Sequence, residues 1–136
     1  MKNLSILILT ILFIGGMVLT TQAQDQKKAG PWKTPDKYMK MKNPAKAGDA
    51  EVLKIGKTLY AKHCKSCHGN SGEGDGPKAK QLKTFPGDFK SKEFKAVTDG
   101  DLFYRAIIGR DEMPNFEKKI ATTEDQWAVV SYIKTM

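Results

Sequence analysis

Cysteine is scarce in this chain, with two residues in 136, Cys64 and Cys67. That scarcity excludes a scaffold built on several disulfides. Histidine is equally scarce, and His63 and His68 are its only instances. A structural zinc site usually takes four protein ligands, and here His63 is adjacent to Cys64, which suits such a site poorly. Acidic residues are outnumbered, 15 Asp plus Glu against 23 Lys plus Arg, for a formal charge of +8. No internal repeat is present. The glycine-rich stretch Gly69–Gly76 lacks the Gly-Lys-Ser/Thr ending of a phosphate-binding loop and reads as a flexible turn.

What is present is concentrated at one place. Cys64-Lys65-Ser66-Cys67-His68 is a Cys-x-x-Cys-His pentapeptide, the spacing of a c-type haem attachment site. In a helical turn, residues three apart share a face. Cys64 and Cys67 can therefore form thioether bonds to two vinyl groups of one macrocycle, and His68 projects toward its iron. Other readings exist for the same residues. A thioredoxin-like redox pair calls for a βαβ context, whereas the surroundings read as helix and loop. A simple structural disulfide is the plainest alternative. There is no second pentapeptide of this kind, so one haem c is expected.

The chain divides by composition into three parts. Residues 1–23 read as a cleaved targeting segment. Lys2 is their only charged residue, Leu4 to Leu19 form the apolar run, and Thr21-Gln22-Ala23 resembles a cleavage site. The run is slightly short for a membrane span, and no cysteine follows it to carry a lipid. The mature N-terminus is expected at Gln24, and the mature chain carries a formal +7 after loss of Lys2. Export to the periplasm agrees with the pentapeptide, because c-type haem is attached outside the bacterial cytoplasm. Residues 24–48 are rich in lysine and proline and read as a basic, partly ordered arm. Residues 49–136 form the single small domain that the length allows.

Within that domain three helices are legible. The first runs from about Asp49 to His63, with Glu51 in its first turn where a negative charge suits the helix dipole. Val52, Ile55, Gly56, Leu59 and Tyr60 share one face. Gly56 in mid-helix is costly unless another helix crosses closely there. The crossing partner is expected at the C-terminus, where Thr123-Glu124-Asp125-Gln126 fits a capping box. Val129, Tyr132, Ile133 and Met136 line one face there, widened by Trp127 and Val130. A third helix is expected from about Asp99 to Gly109, its apolar side being Leu102, Phe103, Ala106 and Ile107. Residues 82–95, with Leu82, Phe85, Phe89 and Phe94 among turn formers, read as an irregular wrap around something apolar.

A sixth iron ligand follows by elimination. His63 is on the same segment as His68 and cannot reach the opposite face of a haem. The soft candidates are Met39, Met41, Met113 and Met136. Met39 and Met41 lie in the arm, and Met136 ends the chain. Met113 lies between two helices in Gly109-Arg110-Asp111-Glu112-Met113-Pro114, where Pro114 biases its backbone away from helix. Its ordinary reading is core filler. With haem granted, His/Met is a standard ligand set of cytochromes c, and Met113 is the expected ligand.

The ordered set of motifs resembles the class I c-type cytochromes, specifically small bacterial mono-haem proteins. It comprises Gly56 and Tyr60, then Cys64-Lys65-Ser66-Cys67-His68-Gly69, then Gly74-Asp75-Gly76-Pro77. Gly109 through Met113-Pro114 and Trp127-Ala128-Val129-Val130-Ser131-Tyr132-Ile133 complete it. The resemblance covers residues 49–136. It implies the all-α cytochrome c fold, with first and last helices crossing near Gly56 and Tyr132. It also implies that the Pro77 carbonyl accepts the His68 Nδ1 proton, a bond that would orient the ring. The Asn43-Pro44 lead-in is similar to that of cytochrome domains attached to respiratory complexes.

The expected function is periplasmic transfer of single electrons between respiratory or dehydrogenase partners, by a monomer whose lysines steer acidic docking surfaces. Nucleic acid, the other partner of basic proteins, is not expected for an exported chain. The alternatives are a cytochrome subunit of a membrane respiratory complex and a haem that reacts with a gas or peroxide.

Overall fold

The computed structural model of the protein describes residues 26–136. The targeting segment over 1–23 and the mature terminus at Gln24 lie outside the described residues. The described chain is helical: α1 (Asp36–Met39), α2 (Ala50–His63), α3 (Lys65–His68), α4 (Lys92–Lys95), α5 (Asp99–Phe103) and α6 (Thr123–Ile133). Among the described residues the only β pairings are two isolated bridges, Lys27 with Thr84 and Arg110 with Met113. The expected all-α class is what forms.

Helix α2 begins where local chemistry starts it. The Asp49 carboxylate accepts from the amides of Glu51 and Val52 at 3.0 and 3.2 Å, satisfying two donors that the first turn leaves free. Gly56 and Tyr60 are the buried positions of α2, and α6 crosses over them. A Cβ placed on Gly56 would lie 2.0 Å from the Ala128 carbonyl oxygen and 2.8 Å from the Tyr132 Cβ. The glycine is there because backbone meets backbone. The Tyr60 and Tyr132 rings pack at 5.5 Å across the crossing. This narrow contact leaves Ile55 at its edge and exposed, so the expected five-residue apolar face is not uniformly buried. Replacing Gly56 with valine must push the helices apart. The expected cost is about 3 kcal/mol of stability, read as a lowered guanidinium midpoint, and an unchanged midpoint would contradict this crossing.

Helix α6 starts one residue earlier in register than the capping box implied. Thr122, not Thr123, is the cap, and its hydroxyl accepts from the Asp125 amide at 3.1 Å. Gln126 turns inward instead of closing a box. Its Nε2 donates to the Ile120 carbonyl at 2.9 Å and to the Glu117 carbonyl at 3.3 Å, which pins the preceding loop. Val129, Val130 and Ile107 are essentially without exposure, each contributing about 2 kcal/mol by burial. Trp127 packs on Phe103 at 4.5 Å between ring centroids.

The third expected helix forms in two parts. Thr98 caps α5, and after Phe103 the chain widens into one π-helical turn, Tyr104–Ile108, that stops at Gly109. The Gly109 amide reaches back five residues to the Tyr104 carbonyl at 3.1 Å. Periodicity does not foretell this widening, because an apolar stripe survives one extra residue in a turn.

The arm is not a partly ordered tail. From residue 26 it runs across the domain and is tied at several points. Gln26 donates to the carbonyls of Ala79 and Leu82. Tyr38 packs on Tyr104 at 4.9 Å and on Phe103 at 6.4 Å. The Asn43 side chain donates to the Ser131 hydroxyl at 2.7 Å, and its amide donates to Asp99 at 3.3 Å. Lysine and proline give the arm no core of its own, so its order comes entirely from the surface it lies on.

Candidate functional site

Cys64 ends α2, and the next four residues make the single turn α3. The amides of Cys67 and His68 both donate to the Cys64 carbonyl, at 3.1 and 3.0 Å. The pentapeptide is thus a helical turn, as its spacing required. Both cysteines are free thiols, Cys64 buried and Cys67 half-buried. Burial pushes the Cys64 thiol up to about 12, and the neighbouring Cys67 adds to the effect. Among the described residues no three His, Cys, Asp or Glu side chains come together as a metal cluster. A zinc site therefore lacks its ligands.

His68 is buried, 8% exposed. Loss of water around it pushes its pKa down to about 4, so the imidazole is neutral at pH 7, the form in which histidine binds a metal. Its Nδ1 is buried with no hydrogen-bond partner among the described residues. The ring stacks on Phe89 at 4.7 Å, and Phe89 stacks in turn on Phe94 at 4.6 Å. This aromatic wall belongs to the 82–95 segment, expected to be irregular, which ends in α4, where Ser91 caps a turn carrying Phe94; its role toward His68 has no signature in the sequence. Spacing also gives no hint that the Tyr60 hydroxyl donates to the Gly69 carbonyl at 2.8 Å, tying α2 to the residue after the ligand.

The glycine-rich loop is packed rather than loose. Gly69, Gly72, Gly74 and Gly76 are buried. The Gly74 amide donates to the His68 carbonyl at 3.0 Å, the Gly76 amide to Cys67 at 3.1 Å and the Lys78 amide to Ser66 at 2.8 Å. Pro77 lies between the last two contacts and is itself exposed.

Met113 is half-buried and packs against the main core. Its amide donates to the Arg110 carbonyl at 2.8 Å, closing a tight turn. That turn folds back on Gly109, which has φ +71° and no room for a side chain: a Cβ there would lie 2.3 Å from the Met113 carbonyl oxygen. Of the other candidates, Met39 is 43% exposed and Met41 packs at the core's margin. A Cβ on Gly72 would touch both the Met136 sulfur and the Phe89 ring, so Met136 lies close to the aromatic wall.

Two free thiols one turn apart, a neutral buried imidazole beside them and an apolar aromatic wall fit one covalently attached haem. A small all-α domain with this turn is a c-type haem protein. Residues 53–136 match the family described as Cytochrome c, and the chain belongs to that family. That membership implies a covalently bound haem c with its iron. No curated protein matches the chain. Among solved structures it is similar to the Kuenenia stuttgartiensis reducing HAO-like protein complex Kustc0457/Kustc0458. The identity is 27% and the TM-score 0.58, over 71% of this chain and 47% of that one. This chain thus spans less than half the length of that relative. It also matches the KustC0563 c-type cytochrome, at 26% identity and TM-score 0.49, over 59% of this chain and 94% of that one.

Proposed function

We propose that the protein is an exported mono-haem cytochrome that carries single electrons between partner proteins, with His68 and Met113 as axial ligands. The observation that carries this reading is a buried neutral His68 in one helical turn with two free thiols, with Met113 held separately by a tight turn against the core. When bound, the haem supplies one-electron chemistry between ferrous and ferric iron. Cys64 and Cys67 tether it. His68 presents an uncharged nitrogen, and its buried Nδ1 makes no hydrogen bond to the Pro77 carbonyl that the resemblance named as its acceptor. Phe89 limits rotation of the imidazole. Met113 would supply a thioether to the iron, which favours the ferrous form and would leave no ready site for peroxide or a gas.

The apolar run and cleavage-like Thr21-Gln22-Ala23 of residues 1–23 support a periplasmic location. Among the described residues no helix is long and apolar enough to cross a membrane. The net positive charge supports partners with acidic docking faces, and export argues against nucleic acid. A second reading, a subunit of a larger redox or membrane respiratory assembly, is favoured by the similarity to the Kuenenia stuttgartiensis Kustc0457/Kustc0458 protein complex. The two readings share the same electron-transfer site.

Steered association weakens as salt screens charge. Electron exchange with an acidic partner is therefore expected to slow about tenfold or more between low salt and about 0.5 M, followed by stopped-flow absorbance. Ferrous protein should bind carbon monoxide only slowly at neutral pH. Rapid carbon monoxide binding, or peroxidase turnover like that of a dedicated enzyme, would replace the carrier by a reactive haem.

A further inference from the structure

The N-terminal arm is fastened to the same loop that carries Met113. Trp32 is the centre of the fastening. The Arg110 guanidinium lies over its ring at 4.2 Å, the Arg105 guanidinium lies 5.7 Å away, and Tyr104 meets it edge-on at 6.2 Å. Arg110 also donates to the Pro31 carbonyl at 2.7 Å and to the Gly30 carbonyl. It thus uses its flat face on the indole and its edge on two successive carbonyls, which a lysine cannot reproduce. Arg105 is held in place by a two-point pair with Asp101, at 2.9 and 2.7 Å, and Asp101 accepts from the Thr34 hydroxyl of the arm.

Arg110 is the residue on which the Met113 turn closes. A second anchor is Glu112, whose carboxylate accepts from the amides of Lys83 and Thr84 at 3.0 and 2.9 Å. That pair of residues is itself tied to the arm. The Lys27 amide donates to Lys83, and the Phe85 amide donates to Lys27, both at 3.0 Å. Both anchors of the loop therefore lead back to the arm. Apart from these anchors, the Met113–Arg110 hydrogen bond, the Arg110–Asp111 pair and the packing of Met113 on the core, much of the loop faces solvent. Asp111, Glu112, Pro114 and Asn115 are exposed. Asp111 has φ +51°, a conformation uncommon outside glycine that depends on its surroundings to persist.

We infer that Trp32 and Arg110 are positioning residues for Met113, the arm acting as a strap that holds the 109–114 loop against the core. The inference rests on Met113 being the sixth ligand. The test uses the mature holoprotein and exogenous imidazole, which enters the ferric iron only as the thioether leaves. The readout is the rate at which the weak red iron–thioether band disappears. Trp32→Ala and Arg110→Lys are expected to raise that rate about tenfold, and Trp32→Phe about threefold or less. Asn43→Ala loosens the arm at Ser131 and Asp99, neither of which anchors the loop, and should leave the rate unchanged. Should Trp32→Ala fail to mature, Arg110→Lys carries the test, since it preserves charge and size. Wild-type rates in the Trp32 and Arg110 variants would overturn the strap. So would an Asn43→Ala rate as high as that of Trp32→Ala, because the arm would then act through general stability. A wild-type protein with no red band would instead overturn the ligand reading and this inference with it.

Discussion

The double variant Cys64→Ser, Cys67→Ser is expected to retain no haem after acid–acetone extraction, whereas the mature wild-type protein retains one. The two thiols are the only cysteines in the chain, and both are free in the fold, so nothing else can form a thioether. Each bond makes haem binding intramolecular, which holds the ligand at an effective concentration of about millimolar or more. Severing both leaves only axial coordination and apolar contact. Single variants should keep one thioether, visible as an altered pyridine haemochrome spectrum. The helical turn explains why neither cysteine can substitute for the other: each faces a different edge of the macrocycle. A haem-free wild-type protein, made with the maturation system present, would contradict the site altogether.

Met113→Ala is expected to abolish the red band of the ferric protein and to lower the reduction potential. A hundredfold loss of relative ferrous stabilisation corresponds to about 120 mV for one electron, and a shift of that order is the expected size, measured by redox titration. The thioether is a soft ligand that favours ferrous iron, and alanine leaves either water or a weaker ligand. Ferrous Met113→Ala should also bind carbon monoxide readily. If the band persists in this variant, another methionine is the ligand. The fold ranks the substitutes. Met41 packs at the core's margin, whereas Met39 is exposed. Met136 lies close to Phe89, the ring that stacks on His68.

The Gly56 crossing shows how far sequence alone can reach. A glycine in the middle of a helix with a good cap demands a reason, and the smallest one is another backbone at contact distance. The partner helix was equally legible from its own apolar stripe. The arm shows the opposite case. Its composition signals a chain that cannot build a core, and that reasoning is sound for the segment in isolation. It says nothing of a surface prepared elsewhere in the sequence, where Tyr104, Arg105 and Arg110 wait for Trp32 and Tyr38.

The sequence by itself determined the chemistry of the Cys64–His68 turn, the start of α2 at Asp49 and the stop at Gly109. Each depends on hydrogen bonds and spacings within one or two turns of chain, where local geometry admits few solutions. Tertiary structure decided the rest. It chose Thr122 over Thr123 as the α6 cap, because Gln126 found buried carbonyls on the preceding loop. It stacked Phe89 on His68 and seated the arm on the Met113 loop. Those contacts join residues as far apart as Pro31 and Arg110, 79 positions along the chain. Such pairs form only after collapse brings their surfaces together, and a linear pattern of residues carries no record of which distant surface each will meet.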